Sequence, residues 1–151
     1  MDYIRFIRKH VGQQEIFMNF AGGWIENSNG ILLERRRDSG EWGLIGGAME
    51  LGESAKETAQ REIFEETGLH AEIGELVGVY TKYRTVCGNG DKLQTIVFTF
   101  YATVDESLAP KASNESFEVT YFPRDHVPEL GILQHRDIAN DALAGRTGMA
   151  R

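Results

Sequence analysis

The chain has 151 residues, 41% of them apolar and 26% charged, a mixture that buries the core of one domain, 1–151, and has no room for a second. Its formal charge of −7 excludes a general electrostatic hold on long nucleic acid or on an anionic membrane, since both need a basic surface. A lone cysteine, Cys87, rules out an internal disulfide, no apolar run is long enough to span a bilayer, and Met1-Asp2-Tyr3-Ile4-Arg5-Phe6 lacks the apolar core of a signal peptide, so the expected setting is the reducing cytoplasm.

Ile4, Ile7 and Val11 have helical spacing in a basic leader, which makes residues 1–15 a short helix or an irregular arm, packed on the domain or used as a subunit contact in a homodimer. Ile16 to Glu26 is strand-like, Asn29-Gly30 signals a turn, and Ile31 to Arg35 returns as the second strand of a hairpin. Arg35, Arg36 and Arg37 cluster at its end. Arg35 or Arg37 could reach a substrate phosphate, or the cluster could guard an edge strand against aggregation. Trp42 to Gly47 reads as a short buried strand running into a glycine turn, where missing side chains let backbone approach a ligand. Ser54 with Glu57 forms a capping box and Gly68 supplies a left-handed stop, which predicts a helix from about Ala55 to Thr67.

Beyond that helix, Ile73 to Tyr83 and Leu93 to Val104 read as long strands around a Gly88-Asn89-Gly90 tip. Glu118 to Phe122 is a shorter strand ended by Pro123. Ile138, Ala139, Ala142 and Leu143 suggest a closing helix stopped by Gly145, with 146–151 trailing as a loose tail. This order predicts an α/β domain with a mixed sheet and helices on its two faces.

The helix after the capping box carries the chemistry. Glu62, Glu65 and Glu66 stand at i, i+3 and i+4, which sets three carboxylates on one face within reach of a common point. Glu50, Glu53 and Glu57 add negative charge, and only Lys56 and Arg61 oppose it, so the face costs stability unless a cation binds. Oxygen ligands without His or Cys suit a hard ion, Mg²⁺ or Mn²⁺. A bare run of glutamates would more simply be a solvated helix face. Here Gly47 to Leu69, GAMELGESAKETAQREIFEETGL, fits Gly-x5-Glu-x7-Arg-Glu-apolar-x-Glu-Glu-x-Gly-apolar without a departure. In this the chain resembles the MutT-like Nudix hydrolases.

That resemblance covers roughly Ile16 to Leu143 and implies a Nudix-type α/β/α sandwich that hydrolyses the diphosphate linkage of a nucleoside diphosphate derivative. It implies Glu62, Glu65 and Glu66 as metal ligands with the carbonyl of Gly46. Arg61 would orient the catalytic glutamate, Glu53 would have a supporting role, and Glu118 would be a further ligand or general base with Glu115 as its competitor. Ile45 stands where the family often has Pro. The expected substrate is a nucleoside triphosphate or a modified nucleotide giving a monophosphate and pyrophosphate; the alternatives are a nucleotide sugar of the ADP-ribose type and a non-hydrolytic nucleotide-binding module. Phe17, Trp24, Tyr80, Tyr83, Phe100 and Tyr101 could stack on a base but suit packing better, and His10, His70, His126 and His135 share no ligand spacing.

Overall fold

The computed structural model describes residues 2–151. Its elements follow in chain order: α1 (Tyr3–Val11), β1 (Ile16–Asn27), β2 (Gly30–Arg36), β3 (Trp42–Gly43), β4 (Ile45–Ala48), α2 (Ala55–Thr67), β5 (Ala71–Val86), β6 (Lys92–Val104), β7 (Ser116–Phe122), α3 (Leu133–Leu143) and β8 (Met149–Ala150). The strands form one mixed sheet in the order β3-β2-β1-β6-β5-β8, with β4 on β1 and β7 on β2. Central β1 and β6 run parallel, while the β1–β2 and β5–β6 pairs are antiparallel.

Alternation along the strands divides the core between the two faces of this sheet. Trp24, Ile31 and Leu33 pack against Ile138, Ala139 and Ala142 of α3. Ile25 and Leu32, one position out of phase, meet Ile63 of α2 with Ile45 and Leu69. Helices therefore cover both faces, and the fold is the expected α/β/α sandwich. Fully burying one such side chain, as for Ile63 or Ile138, contributes roughly 1.5–3 kcal/mol.

Local signals place α2. The Ser54 Oγ accepts from the Glu57 N–H at 3.2 Å, the Glu57 carboxylate accepts from the Ser54 N–H at 2.7 Å, and Gly68 closes the helix at φ +74°. The two-residue hairpin loop is Ser28-Asn29, and Gly30 opens β2 at φ +117°. The leader is a helix rather than an irregular arm, although none of its residues is buried.

Two segments depart from their sequence-based expectation. Trp42 to Gly47 is two strands: β3 pairs with β2, the chain steps at Leu44, and β4 pairs with β1. The expected loose tail is tied down, since β8 pairs with Gly78 and Val79, and the Gly148 and Arg151 N–H groups donate to Leu76 O and Val79 O, each at 2.9 Å. Its anchor is Asp141, whose side chain is 1% exposed and accepts from Arg146, Arg151 and the Tyr80 hydroxyl at 2.7–2.9 Å. A short segment without apolar periodicity hides such an anchor.

Candidate active site

Three glycines seat the acidic helix on the sheet. A Cβ on Gly22 would fall 2.3 Å from the Ile45 carbonyl oxygen, and one on Gly46 would fall 2.6 Å from that of Ala21, so β1 and β4 meet backbone to backbone. A Cβ on Gly47 would strike the Glu62 carboxylate, 2.3 Å from its Cδ. The first glycine of the motif is thus the floor on which Glu62 rests.

Arg61 organises one side of the acidic face. Its guanidinium binds Glu53 through two nitrogens at 2.5 and 3.0 Å, Glu62 at 2.8 Å, Glu65 at 3.3 Å and the Ala48 carbonyl at 3.0 Å. Glu53 also accepts from Thr58 Oγ1 and the Glu50 N–H, and the Arg61 contact holds its carboxyl at about 2. Glu53 is therefore a fixed anion that aims Arg61, in keeping with its expected supporting role. Burial pushes Glu62 up to about 7, against the pull of Arg61.

Glu66 turns the other way, into a second acidic group. Its Oε2 accepts from Ser113 Oγ at 3.2 Å and Ser116 Oγ at 3.4 Å, and the same Ser116 hydroxyl lies 2.8 Å from Oε2 of Glu34, which is 2% exposed. Burial and the neighbouring Glu66 raise the Glu34 carboxyl well above the ordinary range, while the charge of Glu66 raises Glu115. The three motif glutamates thus do not converge on one point, and among the described residues no three acidic, imidazole or thiolate groups form a ready-made cation cluster. Arg61 draws Glu62 and Glu65 to itself, and Glu66 joins Glu34 and Glu115 around Ser113 and Ser116. The donors are nonetheless all oxygen, and their excess of negative charge over Arg61 and Arg36 is the setting in which a hard divalent ion fits.

All of these groups except Glu34, Thr58 and the serines line one cavity of about 860 Å³, together with Gly46 and Gly47. Glu118 stands outside it. In the β2–β7 register Glu118 pairs with Arg35, on the face away from Leu32 and Glu34, whereas the irregularity between Arg35 and Arg36 returns Ser116 to the acidic side. Glu115, its competitor, does line the cavity. Arg35 and Arg37 are likewise misplaced: their guanidinium carbons lie 5.1 and 4.9 Å from the Phe117 ring centre, and the arginine that reaches the cavity is Arg36. Period-two reading from Leu32 through Glu34 to Arg36 was the available signal.

The cavity continues past β4 into a cleft between the sheet and α3, lined by Phe20, Val97, Thr95, Gln134 and His135. His135 Nδ1 accepts from the Leu44 N–H at 3.1 Å, which leaves the proton on Nε2, and burial lowers its pKa to about 4, so the ring is neutral. Gln134 is committed to structure, accepting from Thr95 Oγ1 at 2.8 Å and donating to Tyr80 O at 3.1 Å. Among the aromatic candidates Trp24, Tyr80 and Phe100 are core, Phe17 is 64% exposed, and the ring in the cavity is Phe20.

A family model described as the NUDIX domain matches residues 18–142, which run from within β1 to the last turn of α3 and contain every site residue described above. The chain belongs to the Nudix family. A Bacillus subtilis protein named as a candidate 8-oxo-dGTP diphosphatase is 47% identical over 121 residues, 80% of this chain and 76% of the relative. A Methanocaldococcus jannaschii ADP-ribose pyrophosphatase is 34% identical over 130 residues, 83% and 73% of the two chains. The crystal structure of a Nudix hydrolase from Nitrosomonas europaea superposes with a TM-score of 0.70 over 89% of this chain and 79% of that one, at 24% identity. This protein is accordingly a Nudix hydrolase acting on phosphoric anhydrides, a class that generally needs a divalent metal. No helix among its described residues is long and apolar enough to cross a membrane.

Proposed function

We propose that this Nudix hydrolase cleaves a nucleoside triphosphate or a modified nucleotide to a monophosphate and pyrophosphate, with Mg²⁺ as its ion and the cytoplasm as its setting. The observation that carries this reading is the continuity of one cavity from the acidic face of α2 to the cleft against α3. Phosphates fit the first part and a nucleoside the second. Glu62, Glu65, Glu66 and the Gly46 carbonyl would hold the ion, with Glu115 in the place expected of Glu118. When bound, the ion supplies neutralisation of the phosphate oxygens and acidification of an attacking water.

The chain's own groups do the rest. Arg61 holds Glu62 and Glu65 in fixed orientation, and Glu53 holds Arg61. Arg36, tied to Asp38 through two nitrogens at 3.0 Å, presents a cation to the cavity wall where phosphate charge gathers. Glu115, lifted by its acidic neighbours, is suited to accept the proton of the attacking water. Neutral His135 offers Nε2–H to the substrate as a donor without adding charge.

The test is a screen of nucleoside triphosphates, oxidised nucleotides, ADP-ribose and dinucleoside polyphosphates with Mg²⁺ or Mn²⁺, products resolved by chromatography. Monophosphate plus pyrophosphate from a triphosphate is the expected result. The similarity to the M. jannaschii protein favours a second reading, a nucleotide sugar. Preferred turnover of ADP-ribose to two monophosphates would establish that one instead.

A further inference from the structure

The helix α1 lies outside the span matched by the family model, yet its first turn belongs to the cavity: Asp2 and Ile4 line it together with Phe20 and Glu50. The helix is held at its ends and little in between. At its start the Tyr3 N–H donates to the Glu50 carboxylate at 3.1 Å, and Asp2 caps the turn by accepting from the Arg5 N–H at 3.1 Å. At its end Arg8 donates to the carbonyls of Gly12, Gln14 and Lys92 at 2.8–2.9 Å, and Gln13 donates to Asn89 O at the β5–β6 tip. None of its residues is buried, and Ile4 remains 39% exposed.

That arrangement is costly for a helix that only packs, since nine residues lose conformational freedom with no buried side chain in return. The Tyr3–Glu50 bond also links it to the site, because the Glu50 N–H donates to Glu53, the carboxylate that aims Arg61. An apolar side chain over an open cavity gains its full contact only when something apolar enters beneath it.

Resting on the nucleotide reading above, we propose that the first turn of α1 is a substrate-specificity wall, in which Ile4 closes over the nucleoside part of the substrate and the Tyr3–Glu50 bond sets its position. The wall acts on the nucleoside and leaves the phosphate side to α2. Ile4 makes its contribution through binding, so it alters KM and leaves kcat unchanged.

The experiment compares wild type, Ile4→Ala and Tyr3→Pro by calorimetric titration in Mg²⁺ with α,β-methylene nucleoside triphosphates, which resist the expected cleavage, and with inorganic tripolyphosphate, which has no nucleoside. Proline is well suited to the first helical position, so Tyr3→Pro removes the N–H donor without breaking the helix; a circular dichroism melt checks this. The expected result is nucleotide binding weakened by about fivefold in Ile4→Ala, from partial loss of an apolar contact, with tripolyphosphate binding unchanged, and in Tyr3→Pro, which frees Glu50, a nucleotide loss that exceeds any loss of tripolyphosphate binding. Equal weakening of both ligands, or weakening of neither, overturns the wall. A wild type that binds tripolyphosphate and none of the nucleotides overturns the nucleotide reading and this inference with it, whereas nucleotide binding that both variants keep overturns only the inference.

Discussion

Two clusters of charge lie on opposite sides of the sheet, and they are built to opposite rules. Around Asp141 one buried carboxylate meets two arginines and a tyrosine hydroxyl, all within 2.9 Å. Around α2 the acids Glu34, Glu53, Glu62, Glu65, Glu66 and Glu115 share Arg61 and Arg36. In the first the carboxylate is fully paired and holds a strand in place. The second is left negative: burial and acidic neighbours push the carboxyls of Glu34, Glu62 and Glu115 upward, while Arg61 holds Glu53 down, a condition a fold tolerates where charge has other work to do. Charge balance, more than charge density, separates the two.

The sharpest way to break this contrast is to neutralise one acid in each cluster. Glu62→Gln or Glu66→Gln is expected to lower kcat by about a hundredfold or more while the melting temperature holds or rises, because removing a charge there relieves repulsion. Steady-state kinetics beside a thermal melt checks this, and a large loss of stability would place those residues with Asp141. Asp141→Ala should do the reverse. Breaking a buried pair costs on the order of 3 kcal/mol, somewhat less here because the two arginines are 51% and 38% exposed, so the melt should fall by several degrees with turnover per folded molecule retained.

A smaller effect separates Glu115 from Glu118. Glu115→Gln should lower turnover by about a hundredfold, the low end for loss of a general base, with little change in KM, and Glu118→Gln should leave it nearly unchanged. The opposite pattern would return the role to Glu118 and require that β7 change its register.

The smallest effect is in the dependence of stability on pH. The folded Glu62 carboxyl, at about 7, stands above its ordinary value, so between about pH 4.3 and 7 this group holds more proton in the folded chain than in the unfolded one. Stability from this group therefore falls as pH rises through that window. Asp141 is depressed by its arginines, so its contribution is present above about pH 3.9 and is lost only as pH drops toward its folded value. In chelator, melts from ~pH 5 to ~pH 7.5 should carry a decline from Glu62 and Glu34, opposed by neutral His135, whose Glu62 share Glu62→Gln removes and Asp141→Asn does not.

What could be read from the sequence was local. The capping box, the Gly68 stop and the spacing of Glu62, Glu65 and Glu66 fix α2 within one stretch of chain, and the hairpin needs only its turn and its alternation. What could not be read depends on partners far apart in sequence. Glu34 matters because β7 brings Ser116 beside it, and His135 because Leu44 at the β3–β4 step offers it an N–H. The tail is a strand because Asp141 is buried where Arg151 can reach it. The resemblance favours Glu118 over Glu115 because the family counterpart of this strand often starts after such a glutamate, whereas one irregularity in register between Arg35 and Arg36 decides which residue faces the acids.

The contact between Gly22 and Ile45 bears on how portable such a site is. Gly22 lies well outside the signature segment, yet any side chain there would collide with the backbone that leads into it, 2.3 Å from the Ile45 oxygen. Grafting residues 47–69 onto a foreign sheet would transplant the glutamates without the groove that lets them settle. A functional graft must carry the matching bare stretch of the neighbouring strand, Gly22-Gly23, as part of the same module.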